Sequence, residues 1–289
     1  MTVKMAVPNK GRLSERSIEL VRKAGIDLGE DWGRRLNICV PELGLEVYFV
    51  RAHDVPLFID SGAVDFGITG QDVVAESGKR LRELLPLQFG QCRLSIAAPE
   101  SSPVARSKRV EDGTRIATSF PRLTRRYLES RGVQAKIVEV QGAAEIMPML
   151  GVADAISDLV ATGGTLRTNR LVEVETIISS QACVFSSAAA MSDPGKREQI
   201  GGVVDMVKAA IDAETRKYVM ADVPRAKLGE VERILPGIGG PTVLEIAGSE
   251  DFVAVHAVIS NDQVYRVVGS LRRLGAKGIL TVPVETLVE

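Results

Sequence analysis

The sequence predicts an α/β protein in three parts: two α/β lobes, one inserted into the other, followed by a small mixed unit. Three observations carry this reading. Short β-prone runs alternate with helical periodicities from Val3 onward, and the series restarts after the break Pro99-Glu100-Ser101-Ser102-Pro103. Long apolar strands near residues 92 and 183 let the chain pass from the first lobe to the second and back. From about Lys217 the order becomes strand, helix, strand, strand, helix, strand, which is the ferredoxin-like arrangement. The expected boundaries are 1–92 with 183–213 for the first lobe, 93–182 for the second and 214–289 for the last unit.

The first strand is Val3 to Val7, and Pro8 to Leu13 is a tight loop. Ser14 suits a helix cap with Glu15 in the first turn, Ile18, Leu20, Val21 and Ala24 form the apolar face, and Gly25 closes the helix. Lys10 and Arg12 then stand at the carboxyl end of a strand, where open α/β sheets bind ligands; they are either an anion site or a solvated loop. Leu36 to Val40 and Glu46 to Val50 read as strands joined around Pro41-Glu42-Leu43-Gly44. Asp54 is placed to cap a short helix through Ile59, Arg51 either holds a phosphate or pairs with Asp54, and His53 is a loop residue. Ala63 to Thr69 is a strand, and Gly70-Gln71-Asp72 opens a helix, giving a second anion site or a simple cap.

Leu84 to Leu87, Cys92 to Ala97 and Arg115 to Thr118 read as strands, and Pro121 starts a helix that Gly132 stops. Lys136 to Val140 is a strand, Gly142 a turn, and Ala143 to Leu150 a helix carrying Glu145 either in the cleft or on a solvated face. Ala155 to Val160 is short and apolar enough for a buried strand, and it runs into Ala161-Thr162-Gly163-Gly164-Thr165. A strand leading into a glycine- and hydroxyl-rich turn is suited to a phosphate, because backbone amides converge there and threonine hydroxyls add donors. Asp154 and Asp158 would repel that phosphate unless a ribose ring or a magnesium ion lay between. Leu171 to Ser180 and Ala182 to Ser187 are β-rich, and Lys196 to Asp212 is a long amphipathic helix. The last unit comprises Tyr218 to Ala221, Arg225 to Ile234, Thr242 to Ile246, Phe252 to Ser260, Asp262 to Leu274 and Gly278 to Val282.

Composition narrows the function. Lys plus Arg (36) nearly balances Asp plus Glu (37), so the basic excess of a nucleic-acid reader is missing. No apolar leader or membrane segment is read at the amino terminus, and a cytoplasmic protein is expected. Cys39, Cys92 and Cys183 are far apart in apolar surroundings and read as core thiols. Neither His53 nor His256 lies in a nucleophile motif, and no Walker or Rossmann glycine pattern occurs.

Seven blocks taken together resemble the ATP phosphoribosyltransferase family in its long form: NKGRLS from Asn9, VRAHDVP from Val50, DFGITGQD from Asp65, GQCRLS from Gly90, RIATSFP from Arg115, ADAISDLVATGGTL from Ala153 and PGIGGPT from Pro236. The resemblance implies a bilobal catalytic part of the periplasmic-binding-protein type and a ferredoxin-like regulatory domain. It also implies transfer of the phosphoribosyl group of phosphoribosyl pyrophosphate to the adenine ring of ATP, the first step of histidine biosynthesis, with histidine as inhibitor. On that basis Asp154, Asp158, Ala161, Thr162, Gly163, Gly164 and Thr165 bind phosphoribosyl pyrophosphate, the two acids directly or through Mg2+. Lys10, Arg12, Arg51, Asp72 and Arg93 line the opposite lobe toward ATP or pyrophosphate, and Asp222, Gly240, Thr242 and Ala276 take histidine. The expected assembly is a homohexamer in exchange with dimers. Two other readings are a bilobal small-molecule binding protein and a type I purine phosphoribosyltransferase. The lack of an export signal and the two acids before Thr-Gly-Gly-Thr weigh against the first; the spacing of those acids, which are not adjacent, weighs against the second.

Overall fold

The computed structural model describes residues 2–29, 35–235 and 237–288. Contacts divide the chain into two units, residues 1–22 with 26–204 and residues 23–25 with 205–289.

The first unit holds two mixed sheets. In spatial order the first contains β2 (Asn37–Val40), β3 (Leu45–Val50), β1 (Val3–Pro8), β4 (Phe66–Gly70), β11 (Ala182–Ser186) and β5 (Arg82–Pro86). β1 is parallel to β3 and β4, so three strands deliver their carboxyl ends to one edge. β11 lies antiparallel between β4 and β5. The second sheet contains β10 (Leu171–Ser180), β6 (Cys92–Pro99), β9 (Ala155–Val160), β7 (Arg115–Thr118) and β8 (Lys136–Glu139). Its two passages to the first sheet run side by side, with the Ala182 amide donating to the Phe89 carbonyl (3.0 Å) and the Gln71 amide to the Gln181 carbonyl (3.1 Å).

The central strands of the second sheet, β6, β7 and β9, are buried on both faces, while the edge strands β8 and β10 are partly exposed. Ala97, Ala117, Ile156 and Val160 belong to one core, and Ile96, Ala98, Ile116 and Ala155 to the other. The first sheet is as tight: a Cβ on Gly67 would stand 2.7 Å from the Ala6 carbonyl oxygen, so β4 approaches β1 closely only because residue 67 has no side chain.

The helices of this unit are α1 (Ser14–Lys23), α2 (Val55–Asp60), α3 (Gln71–Ser77), α4 (Pro103–Ser107), α5 (Pro121–Ser130), α6 (Gly164–Thr168), α7 (Ala188–Ser192) and the start of α8 (Pro194–Glu214). Several details differ from the sequence reading. Ser14 is the first helical residue of α1, one position inside the expected cap. Asp54 stands at the start of α2, yet its carboxylate makes no cap bond; it meets the His53 ring at 3.2 Å, and Arg51 is not its partner. The Pro/Ser break is a surface loop that starts α4, capped by the Ser102 hydroxyl accepting from the Ala105 amide (3.1 Å). Ala143 to Leu150 forms only a one-turn 3-10 segment at Ala144–Ile146, because Ala143 takes a left-handed conformation (φ 49°) and Pro148 lacks an amide. Of the three cysteines only Cys183 is a buried core thiol, pushed up to about 12 by that burial; Cys39 is exposed and Cys92 half-buried.

The second unit contains β12 (Arg216–Pro224), α9 (Leu228–Ile234), β13 (Thr242–Glu245), β14 (Phe252–Ser260), α10 (Val264–Arg273) and β15 (Lys277–Pro283). The sheet order β13-β14-β12-β15, antiparallel throughout, is ferredoxin-like. Val219, Ala221, Val223, Val253, Val255, Ala257 and Ile259 alternate onto the face that packs on Val231, Val267 and Leu271 of the helices. The fold is thus the α/β class read from the sequence, a bilobal part of periplasmic-binding-protein type with a ferredoxin-like unit after it. Among the described residues no helix is long and apolar enough to cross a membrane.

Candidate functional site

The turn after β9 presents unpartnered donors to solvent. Gly163 adopts φ 73°, which a side chain would strain, and Ala161, Thr162 and Thr165 are exposed. Among the described residues the amides of Thr162, Gly163, Thr165 and Leu166 have no protein acceptor, and the Gly164 amide reaches only the Thr162 hydroxyl at 3.4 Å. The helix that follows, α6, is one short turn, so the donors here are individual amides and hydroxyls rather than a helix dipole.

These groups line a cavity of about 270 Å3 together with Asp158 and Glu145. Asp158 is held deep on β9, where burial raises its carboxyl above the ordinary aspartate range, its bond from the Leu159 amide (2.7 Å) pulls it down, and the Glu145 charge raises it again. Glu145 therefore belongs to the cavity; the 3-10 turn that replaces the expected helix is what carries it there.

Asp154 is placed elsewhere. The six residues of β9, roughly 20 Å of strand, separate it from the turn. Its carboxylate is taken by Arg115, through the backbone amide (2.9 Å), Nε (3.1 Å) and a terminal guanidinium nitrogen (2.8 Å), which holds it below the usual carboxylate range. It ties the start of β9 to the start of β7 and does not line the cavity with Asp158. Arg115 also holds the Gly151 carbonyl (2.8 Å), and nothing in its sequence spacing pointed to this role.

At the carboxyl edge of the first sheet, Lys10 and Arg51 are exposed on neighbouring strand ends and have no acidic partner among the described residues. Arg12 lies beside them but is engaged by the Gly90 carbonyl (2.6 Å) and by Asp72 (3.1 Å). Asp72 is fully buried and also accepts from the Ser180 hydroxyl (2.5 Å), so it braces Arg12 and is not open to a nucleotide. A Cβ on Gly70 would lie 2.1 Å from the Asp72 carboxylate, which explains the glycine of the Thr-Gly turn. Arg93 is not on this lobe: it stands on β6 beside the turn after β9, clamped two-pronged by Glu173 (2.5 Å each).

In the second unit Asp222 and Thr242 lie on the sheet face away from the helices, the face that also presents Tyr218, Met220 and His256. Gly240 (φ 99°) is in the loop just before β13. Ala276 packs against the helix-side core and does not share the open face.

The sequence matches two family models, one described as ATP phosphoribosyltransferase over residues 51–209 and one described as the HisG C-terminal domain over residues 213–286. The ATP phosphoribosyltransferase of Methanococcus maripaludis strain C5 is 42% identical over 98% of this chain and 99% of its own length. That of Methanopyrus kandleri is 43% identical over 99% of each. The chain belongs to the ATP phosphoribosyltransferase family. It is an enzyme of the glycosyltransferase type, in the histidine biosynthesis family. Among solved structures it is similar to an ATP phosphoribosyltransferase chain of the HisG:HisZ complex from Thermotoga maritima (TM-score 0.64, 28% identity). That match covers 99% of the Thermotoga chain but 73% of this one, as expected of a long-form ATP phosphoribosyltransferase with a further C-terminal domain.

Proposed function

We propose that the chain transfers the phosphoribosyl group of phosphoribosyl pyrophosphate to ring nitrogen 1 of the adenine of ATP. The observation that supports this best is the β9 cavity, where unpartnered turn amides stand beside two carboxylates. Thr162, Gly163, Gly164 and Thr165, with the neighbouring Ala161, hold the 5′-phosphate, and Asp158 with Glu145 takes the ribose hydroxyls. Asp154 drops out of this set. The adenine lone pair attacks the anomeric carbon, the bond from that carbon to pyrophosphate oxygen breaks, and pyrophosphate leaves with the electron pair. No covalent bond to the protein forms, so alignment and charge neutralisation supply the rate. Lys10 and Arg51, with Arg12 held by Asp72, present positive charge to the polyphosphates from the strand ends.

Among the described residues no group of three or more His, Cys, Asp or Glu could hold a metal by itself. Two carboxylates do suit Mg2+, which keeps several waters and takes substrate oxygens, so Asp158 and Glu145 would hold it in company with phosphoribosyl pyrophosphate. When bound it neutralises the leaving pyrophosphate.

The same reading divides the chain at 1–92 with 183–213, 93–182 and 214–289, assigns the last part to histidine inhibition through Asp222, Thr242 and the Gly240 loop, and takes the working state as a cytoplasmic homohexamer. The test is formation of phosphoribosyl-ATP from ATP and phosphoribosyl pyrophosphate, with and without histidine. Pyrophosphate release only with a free purine base would overturn the reaction, and a rate indifferent to histidine would overturn the regulation.

A further inference from the structure

Two arginines outside the cavity grip the turn from behind. Arg93 donates to the Ala161 carbonyl (3.4 Å), and Arg167 donates to the next carbonyl, that of Thr162 (3.2 Å). Among the described residues every peptide bond is trans, and in a trans peptide the C=O and the following N–H point in opposite directions. Holding each carbonyl therefore points the amide that follows it, that of Thr162 or Gly163, away from its arginine, and both arginines lie outside the cavity that Thr162 and Gly163 line. Ala161 is the dividing wall: it lines both the phosphate cavity and a second cavity of about 390 Å3 that contains Arg93, Gln71, Gln91 and Gln181.

Arg93 is itself immobilised. Glu173 on β10 binds two of its nitrogens, and the same carboxylate accepts from the Ser95 hydroxyl (2.7 Å) and the Thr176 hydroxyl (3.3 Å). A guanidinium locked in this fork geometry has one remaining nitrogen to aim, and it is aimed at the turn. Ser95 is fully buried, which anchors the carboxylate to the sheet rather than to solvent.

We infer that Glu173, Arg93 and Arg167 are positioning residues that pre-set the turn so that two successive amides face the 5′-phosphate before substrate arrives. This rests on the reading of the β9 cavity as the phosphoribosyl pyrophosphate site. It gives Arg93 a different task from contacting ATP. Preorganisation of this kind improves binding of the group whose amides are aimed and leaves the other substrate untouched.

The test compares Arg93→Met, Arg167→Met, Glu173→Gln and the Glu173→Gln/Arg93→Met double variant in the full chain, with Thr165→Ala as a probe of the cavity itself. Phosphoribosyl pyrophosphate affinity is read by titration calorimetry, and KM for each substrate and kcat are read separately. Each single variant should weaken phosphoribosyl pyrophosphate about tenfold, the worth of one charge-assisted hydrogen bond, with KM for ATP unchanged. The double variant should be no worse than Arg93→Met, since Glu173 acts through Arg93. A rise in KM for ATP, or an Arg93→Met defect that Glu173→Gln does not share, would mean that Arg93 meets substrate itself and the proposal is wrong. If Thr165→Ala binds phosphoribosyl pyrophosphate like the wild type, the cavity reading fails and takes the inference with it. Should Arg93→Met not fold, the isosteric Glu173→Gln carries the comparison.

Discussion

Glu76 on α3 should be worth more to stability than its half-exposed position suggests. Its carboxylate accepts the Arg122 and Leu123 amides at 2.9 Å each, so a helix below the first sheet's edge caps α5 of the second sheet. The local residue at that helix start, Phe120, has no side chain able to do so. Glu76→Ala leaves two amides without an acceptor. A single cap residue is worth about 0.5–2 kcal/mol, and water can reach this site, so a loss of about 2 kcal/mol is expected rather than twice the upper figure. For a unit of this size each kcal/mol moves Tm by about 2–4 °C, which gives a fall of about 4–8 °C. Glu76→Gln keeps one acceptor and should lose about half as much.

The pH behaviour separates both variants from the wild type. Burial raises the Glu76 carboxyl above the usual range and outweighs the amide bonds that lower it. The folded protein therefore binds this proton more tightly than the unfolded chain, and this group's contribution to stability declines as pH rises from the unfolded value, 4.5, through the folded one. Both variants remove that slope. Thermal unfolding followed by circular dichroism across that range is the assay. A Glu76→Ala Tm within about 1 °C of the wild type would show that the bridge carries no load.

Three further outcomes are expected. Asp158→Asn should reduce kcat at least about a hundredfold while stabilising the fold by about 0.5–2 kcal/mol at neutral pH, because an ionised carboxylate is no longer held in a buried place; equal stability in urea unfolding would contradict this. That gain should shrink as pH falls through the raised folded-state value and vanish only below 3.8, where the wild-type carboxyl becomes neutral in the unfolded chain as well. Gly70→Ala should cost about 3 kcal/mol by driving Asp72 off Arg12 and Ser180, and a denaturation midpoint unchanged from wild type would count against that clash. On the proposed regulation, Asp222→Ala with Thr242→Ala should raise the histidine concentration for half-inhibition at least about tenfold, and an unshifted inhibition curve would move the effector site elsewhere.

The strands were legible because both kinds of burial leave a mark. β9 runs apolar where both faces are covered, and β14 alternates where one is. The turn after β9 was legible because glycines and threonines at a strand end have few other uses. What could not be read was the direction of individual side chains. Asp154 and Asp158 look alike in sequence, yet one lies at the entry of the strand against Arg115 and the other near its exit in the cavity. Asp72 and Arg12 each looked free until the fold placed them against one another across 60 residues of chain. Ala143 to Leu150 has helical spacing, but the left-handed Ala143 and Pro148 decide the backbone locally. The Glu173 clamp had no sequence signal at all, since a charge on an alternating strand reads as solvated.

The strand order of the first sheet also sets a timetable for its assembly. β5 is joined to that sheet only through β11, which is made about 100 residues later. At ordinary synthesis rates of about 5–20 residues per second, β4 and β5 wait roughly 5–20 s with an open gap between them. The second sheet, contiguous from Cys92 to Ser180, needs nothing that comes after it. During translation the inserted lobe can therefore close first, and its return strand then zips the outer lobe shut, so variants that weaken β11 should appear first as aggregation of nascent chains.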